Sequence, residues 1–200
     1  KLKYLHIHTK KNLKFPKSIE LLTQLKDFRV YSNCQIKIPI KVEERAQKYF
    51  IQKYLQDGVH PDDALMLANL DIIGWDLGNL EKDELYKEDP EWYNHGDVDV
   101  WDYRLNGNRR VIEIYIKPWE GRSKMPFFPE EFCFFKKLEV LDLSFYELEY
   151  IPEVIINLKS LKSLNIFNFG KKITKITKSV KDFLDSLQHL TLDSKIVITS

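Results

Sequence analysis

The chain has 200 residues, of which 44% are hydrophobic and 30% charged, so it is long enough to bury a core and too apolar for general disorder. Its 31 basic and 30 acidic side chains leave a formal charge of +1, which argues against a nucleic-acid partner bound by phosphate neutralisation. No window approaches the roughly 18 continuous apolar residues of a membrane span, and no signal peptide opens the sequence, so we expect no membrane partner. The two cysteines, Cys34 and Cys133, form no paired motif, which indicates reduced thiols and a cytoplasmic location. Because the sequence begins at Lys1 and not at methionine, we expect a fragment or a trimmed chain.

A spaced apolar triplet, L-x-x-L-x-L, returns along the chain. Apolar and polar residues alternate within it, which predicts a strand with one buried face. The six triplets are Leu2/Leu5/Ile7, Leu25/Phe28/Val30, Val111/Ile114/Ile116, Leu138/Leu141/Leu143, Leu161/Leu164/Ile166 and Leu187/Leu190/Leu192.

The second half of the repeat is an apolar residue followed by proline, about thirteen residues after the triplet begins. Behind each of three of these prolines, apolar residues recur at helical spacing, as at Ile19 and Leu22 after Pro16, which we expect to occupy the first helical position. Each repeat is therefore predicted to form a strand, a turn and a helical segment that returns the chain. A single unit cannot bury its apolar face, and stacking of neighbouring repeats is needed to bury it. The four pairs are Phe15-Pro16, Ile38-Pro39, Phe128-Pro129 and Ile151-Pro152.

This pattern resembles the leucine-rich repeat family, in the variety that reads LxxLxLxxNxLxxLPxxIxxLxx. The best matches are LEVLDLSFYELEYIPEVIINLKSLKSLNI (138–166) and LKYLHIHTKKNLKFPKSIELLTQLKDFRVYSN (2–33). The resemblance covers about 140 of the 200 residues. It implies an α/β solenoid with parallel strands on a concave face and short helices or turns on the convex face. The family shares a concave binding face and no common reaction.

Residues 42–94 do not fit the repeat. Val42, Ala46, Tyr49, Phe50 and Tyr54 lie on one stripe of a predicted helix that ends at Gly58. A second helix is predicted to begin at Pro61, and an acidic stretch then runs from Glu81 to Asp102. We therefore expect an α-helical insertion with an acidic segment.

The segment DVDVWDYRLNGNRRVIEIYI predicts a β-hairpin that turns at Asn106-Gly107. A hairpin before a run of repeats is similar to the amino-terminal cap of plant-type leucine-rich repeat domains. The insertion either divides two solenoid stretches or is extruded from one sheet that runs through, and we favour extrusion. The predicted parts are repeats 1 and 2 in 1–41, the helical insertion in 42–94, the hairpin in 95–110 and repeats 3 to 6 in 111–200.

The sequence holds no GxxxxGK[ST] phosphate loop, no HExxH, no GxSxG and no CxxC pair, so we expect no enzyme and no cofactor. His6 and His8 lie two residues apart on one predicted strand, and we interpret them as surface side chains, not as metal ligands. Cys133 lies among phenylalanines, which predicts a buried, inert thiol.

The residues between and just after the leucines point to the concave side of such strands. We therefore expect a non-catalytic protein–protein interaction module that binds a protein or peptide there. The alternative is a recognition or regulatory arm of a larger enzyme or GTPase-regulating protein whose catalytic part is not in this sequence. With extrusion, Tyr4, Arg29, Tyr31 and Tyr115 would form one contiguous patch, over which the acidic stretch would fold as an internal competitor. Asp27 and Ser144 are also expected to lie exposed on the concave side. The candidate binding residues are Tyr4, His6, Arg29, Tyr31, Tyr115, Lys117, Asp142, Asn165 and Phe167.

Overall fold

The chain folds into a mixed α/β structure of two compact units, Lys1–Asp76 and Leu77–Ser200. The computed structural model describes residues 1–9, 11–32, 36–73, 78–79, 101–116, 128–144, 148, 150–166, 176–192 and 198–199.

The first unit joins a two-stranded parallel sheet to a pair of helices. Its elements are β1 (Tyr4–Thr9), a 3₁₀-helix (Lys17–Leu21), β2 (Asp27–Ser32), α1 (Ile40–Gln56) and α2 (Pro61–Ile72). Leu5 lies opposite Phe28 and Ile7 lies opposite Val30, so the first two triplets are in register side by side. Parallel pairing needs a crossover, which the segment with the 3₁₀-helix supplies.

The helical return after Pro16 is a 3₁₀-helix. The N–H of Ile19 donates to Pro16 O at 3.0 Å, and the N–H of Leu22 donates to Ile19 O at 3.1 Å. Hydrogen bonds between residues three apart define a 3₁₀-helix, and such helices are short, as this connection between β1 and β2 is. Pro16 precedes the helix and does not occupy its first position, so the predicted place of the proline is wrong by one residue. Pro129 and Pro152 stand in the same relation to 3₁₀-helices of the second unit.

The fourth apolar-proline pair leads into the predicted helical insertion. After Pro39 the chain forms α1, whose stripe residues Val42, Ala46, Phe50 and Tyr54 are at most 1% exposed. Spacing of four residues keeps this stripe on one side of the helix. α1 packs against α2 and the 3₁₀-helix of this unit, and both α-helices pack against β2.

The ends of the two α-helices follow their sequence signals. Gly58, with a φ of 80°, reverses the chain after α1, and its N–H donates to Leu55 O at 3.0 Å. Pro61 opens α2, and the His60 Nδ1 accepts the N–H of Asp62 at 3.2 Å. Among the described residues no helix is both long enough and apolar enough to cross a membrane.

The second unit is built on a six-stranded sheet in the order β3-β4-β5-β6-β7-β9. Among the strands that the structure describes, only the β4–β5 pair is antiparallel, and β8 and β10 pair with each other in a second sheet. The strands are β3 (Gly78–Asn79), β4 (Trp101–Leu105), β5 (Val111–Ile116), β6 (Val140–Asp142), β7 (Ser163–Ile166), β8 (Ile176–Thr177), β9 (His189–Leu192) and β10 (Ile198–Thr199). The helices are two 3₁₀-helices, Glu130–Phe134 and Glu153–Asn157, and α3 (Lys178–Asp185).

The central residues of the last four triplets lie opposite one another across this sheet. Ile114 pairs with Leu141, Leu141 with Leu164, and Leu164 with Leu190. The first three are buried in the core of the unit, with aromatic side chains from the segments between strands. These aromatic side chains are Phe128, Phe132 and Phe135.

The predicted β-hairpin is present, with β4 antiparallel to β5. Its reversal spans Asn106 to Arg110 and is wider than the two-residue Asn-Gly turn that the sequence predicts. The N–H of Asn106 donates to Arg110 O at 2.9 Å, and the residue with positive φ is Arg109 (63°), not Gly107. The Asn106 Oδ1 accepts the N–H groups of Asn108 and Arg110, at 2.9 and 3.1 Å, so the asparagine side chain organises the turn.

The prediction of one continuous sheet through all repeats is wrong. β5 is hydrogen-bonded to β4 on one side and to β6 on the other, while β1 and β2 form a sheet of their own. The hairpin strand β4 occupies the edge of β5 that extrusion would have left for β2.

Candidate functional site

Polar side chains line one face of the six-stranded sheet. In β5 the buried Ile114 and Ile116 alternate with the half-buried Glu113 and Tyr115. Successive side chains of a strand point to opposite faces, so packing of the isoleucines in the core turns Glu113 and Tyr115 to the other side.

The register of the strands arranges the residues of this face, all of them polar except Val140, in rows. Residues directly opposite in neighbouring strands have their side chains on the same face. We call these residues the strand-face rows. The first row is Asp102, Tyr115, Asp142, Asn165 and Thr191, and the second is Arg104, Glu113, Val140, Ser163 and His189.

Hydrogen bonds link neighbours in the strand-face rows. The Tyr115 hydroxyl donates to Glu113 Oε2 at 2.8 Å, and Arg104 pairs with the other carboxylate oxygen of Glu113. On the next strands, Asn165 Nδ2 donates to Asp142 Oδ2 at 3.2 Å. These bonds restrict the rotamers of the side chains that form them.

Acidic side chains outnumber basic ones near the first row. Asp102, Glu113 and Asp142 lie on this face with Arg104 as their basic neighbour. The N–H of Ser144 donates to Asp142 Oδ1 at 2.8 Å and orients that carboxylate. The Asp102 carboxylate is buried, whereas Glu113 and Asp142 are half-buried. Each carboxylate oxygen of Glu113 and Asp142 already accepts one hydrogen bond and has the capacity to accept another.

Three candidate residues are neighbours in the first row, as the alternation predicts: Tyr115, Asp142 and Asn165. Lys117 and Phe167 lie outside the described residues. The prediction that Ser144 is exposed is wrong, because its side chain is buried next to the end of β6.

The other four candidates lie on one face of the β1–β2 pair: Tyr4, His6, Arg29 and Tyr31. Tyr4 is 61% exposed, and the His6 Nε2 is hydrogen-bonded to Asp27 Oδ1 at 2.8 Å. The ring of His8 stacks on that of Tyr31 with the centroids 4.4 Å apart. Asp27 is buried, which corrects the expectation that it is exposed.

The prediction that Arg29 offers an exposed side chain is also wrong, since the residue is 7% exposed. Its Nε donates to Asp27 Oδ1 at 2.9 Å, and its Nη1 lies 3.8 Å from Asp71 Oδ1. Its guanidinium lies over the ring of Phe50. Phe50 belongs to α1 and Asp71 to α2, so the helical insertion covers β2 at this position.

The Asp71 carboxylate is fully buried and is stabilised by groups from α1. The Tyr54 hydroxyl donates to Asp71 Oδ2 at 2.7 Å, and Lys53 Nζ lies 3.8 Å from the same oxygen. Burial, followed by the negative charge of Asp27, raises the pKa of the nearby Tyr49 hydroxyl. A buried charge that loses its partners is costly, so this cluster fixes the helices on β2.

The predicted four-residue patch is not formed by neighbouring strands. Tyr115 lies between Asp102 and Asp142 in the sheet of the second unit, whereas Tyr4, Arg29 and Tyr31 belong to the first. Most of the acidic stretch expected to compete for this patch lies outside the described residues.

Sequence reasoning missed Asp102, Arg104, His189 and Thr191 of the strand-face rows, and it missed Asp71, which packs near Arg29. Asp102 and Arg104 alternate with Tyr103 and Leu105, and this alternation would have revealed their face once the hairpin was recognised. The signal for Asp71 was a single carboxylate inside the apolar run LMLANLDII, where only a buried partner makes a charge acceptable.

Side chains of the kind that carry nucleophilic or metal chemistry are sparse in the described parts. No group of three or more His, Cys, Asp or Glu is placed there to hold a metal ion. The Cys133 thiol is buried, and burial raises its pKa to about 12, with a smaller contribution from Glu130 and Glu131. A thiol of this kind is protonated and a poor nucleophile at neutral pH.

A comparison with models of known protein families finds no match to this chain, and comparisons with curated proteins and with solved structures also find none.

Proposed function

We propose that the protein is a non-catalytic interaction module of the leucine-rich repeat type, which binds a protein or peptide partner across the strand-face rows. The observation that carries the proposal is the alignment of Asp102, Tyr115, Asp142, Asn165 and Thr191 across five hydrogen-bonded strands. Adjacent strands lie about 4.8 Å apart, so such a row presents evenly spaced polar groups over about 20 Å.

The repeat assignment rests on two supports besides the sequence pattern. Equivalent triplets meet in parallel register, as Leu141 does with Leu164, one repeat further along the chain. Pro129 and Pro152 each precede a 3₁₀-helix, which gives successive repeats the same strand and return. In a solenoid built this way the strands line the concave surface, which is where we place the partner.

The type of partner follows from the side chains of the face. Tyrosine combines a large apolar ring with a polar tip and is enriched in protein interfaces. Tyr115 is half-buried and lies beside the carboxylates Glu113 and Asp142. A peptide segment with N–H donors and apolar side chains matches this surface. The cytoplasmic location belongs to the same proposal, since the buried Cys133 thiol fits a reducing compartment.

Capture of partners by matched variants tests the proposal. Asn165→Arg places a bulky charge in the first row, whereas Asn157→Arg makes the same change in an exposed residue of the 3₁₀-helix of the preceding repeat. We expect wild type and Asn157→Arg to retain the same proteins from a lysate of the source cells, and Asn165→Arg to lose them.

Circular dichroism of all three proteins establishes that each is folded. Retention of the same proteins by folded Asn165→Arg would overturn the proposal, and so would a loss that is equal in both variants.

A further inference from the structure

The outer edge of β1 is the side of the strand that faces away from β2. Lys3 O, which directly precedes β1, accepts the N–H of Asp27 at 3.2 Å and therefore points to β2. Backbone groups of alternate residues point to opposite sides of a strand, so those of Tyr4, His6 and His8 point away from β2. Among the described residues, no strand pairs with this side of β1.

The side chains of β1 are also incompletely covered. Leu5 and Ile7 are half-buried, whereas their partners Phe28 and Val30 in β2 are buried. Leu2, just before the strand, is 47% exposed. An edge with unpaired backbone groups and accessible apolar side chains is a template for an added strand.

The segment around this edge carries a strong positive charge. Residues 1–19 contain no Asp or Glu, and all of the described lysines among them are exposed. These residues contain two histidines as well, His6 and His8. The lysines of the segment are Lys1, Lys3, Lys10, Lys11, Lys14 and Lys17.

We propose that the outer edge of β1 binds an extended acidic segment of a partner protein by β-strand addition. Backbone hydrogen bonds to Tyr4, His6 and His8 would supply affinity, and the lysines would select acidic side chains and speed association. Apolar side chains of the added strand, at every second position, would cover Leu5 and Ile7. This surface is separate from the strand-face rows and does not depend on the proposed function.

Charge decides between the possible occupants of the edge. In a second copy of this chain joined edge to edge through β1, two segments with six lysines and no carboxylate each would face one another, which like-charge repulsion opposes. An acidic strand gains attraction from the same lysines. Screening weakens that attraction as salt is added.

Fluorescence anisotropy with a labelled peptide of alternating valine and glutamate tests the proposal. We expect the full 200-residue chain to bind this peptide more tightly at low salt than at high salt, and to bind an alternating valine–lysine peptide at least about tenfold more weakly.

Two pairs of variants separate backbone pairing from charge. His8→Pro removes an outward N–H, whereas His8→Val keeps it, and only the proline variant should weaken binding by about tenfold or more. Lys11→Glu/Lys14→Glu should have the same effect, while Lys137→Glu/Lys159→Glu, an equal charge change at exposed lysines of the second unit, should leave binding within about twofold. The lysine variants keep the test valid if His8→Pro does not fold.

Three results would overturn the proposal. The first is failure of the valine–glutamate peptide to bind, and the second is equal binding to His8→Pro and His8→Val with both folded. The third is preference for another occupant: a single-stranded oligothymidine bound as tightly as the peptide, or self-association of the chain that His8→Pro abolishes.

Discussion

The guanidinium carbon of Arg29 lies 5.0 Å from the centre of the Phe50 ring. This cation–π contact joins β2 to α1, and the approach of Arg29 Nη1 to Asp71 joins the same strand to α2. Such contacts strengthen when they are removed from water, and Arg29 is almost completely buried. The helical insertion is therefore part of the folded first unit, with Arg29 as a contact that all three elements share.

Removal of the Arg29 side chain should destabilise the protein strongly. We expect Arg29→Ala to lower the free energy of unfolding by about 2–4 kcal/mol, because the buried Asp71 carboxylate loses a cationic neighbour and Phe50 loses its packing. Urea denaturation measures the change. Tyr4→Ala, at an exposed position of β1, should change stability by less than about 0.5 kcal/mol. Equal effects of the two substitutions would show that Arg29 is not a buried structural contact.

Two leucines in register should respond differently to the same truncation. Leu164 is 1% exposed and Leu190, its partner in β9, is 36% exposed. Leu164→Ala should cost about 2–5 kcal/mol, as should Leu141→Ala in the neighbouring strand, because each leaves a cavity. Leu190→Ala should cost about 1 kcal/mol or less, because little area is returned to water. Denaturant titration of the three variants measures these values, and a larger loss at Leu190 than at Leu164 would contradict the core described above.

The buried Cys133 thiol should make stability depend on pH in the alkaline range. Its pKa is raised from a usual value of 9.0 to about 12 in the folded protein, so above pH 9 the unfolded chain releases this proton first. The contribution is complete below pH 9 and is lost as the pH rises toward 12. The total is on the order of 4 kcal/mol at most, at 1.4 kcal/mol for each pKa unit.

Cys133→Ala isolates this effect from other groups that titrate at high pH. The stability difference between wild type and Cys133→Ala should shrink by about 1–2 kcal/mol between about pH 8 and about pH 10.5. Denaturation of both proteins at the two pH values measures it. A difference that stays constant would mean that the thiol is not desolvated in the folded protein.

Glycine at position 109 should favour the backbone conformation of the hairpin turn. Arg109 has a φ of 63°, a conformation that costs a residue with a Cβ about 1–2 kcal/mol and glycine very little. Arg109→Gly should therefore be more stable than Arg109→Ala by about 1 kcal/mol, with the alanine variant as the control for loss of the arginine side chain. Thermal unfolding compares the two variants. An alanine variant that is the more stable of the two would show that this backbone conformation is not kept.

The repeating parts of the fold were predictable because they follow local periodicity. The alternation of apolar and polar residues predicted parallel strands, in which Leu5 lies opposite Phe28 and Leu141 lies opposite Leu164. The stripe from Val42 to Tyr54 predicted α1. Apolar residues recur at every second position in the strands and at about every fourth position in α1, and these periods indicate strand and helix from the sequence alone.

Prediction failed where a long-range choice decides the outcome. The order of strands around β5 depends on competition between β4 and β2 for one edge, and both candidates have suitable alternation. Pairing of β5 with β4 is favoured because it closes a short loop. Pairing of β5 with β2 would close a much longer loop, at a larger cost in chain entropy. The prediction that Arg29 is exposed failed for a similar reason, because the burial of Arg29 depends on Phe50 and Asp71 from helices further along the chain.

Site-specific photo-crosslinking tests the central claim, that a protein partner binds the strand-face rows, most directly. A photoreactive amino acid replaces Thr191, an exposed member of the first row, or Asn157, an exposed residue of a 3₁₀-helix. Irradiation in a lysate of the source cells should join a discrete partner to the chain from position 191 and none from position 157. Crosslinks to the same partner from position 157 alone, or with equal yield from both positions, would contradict the account.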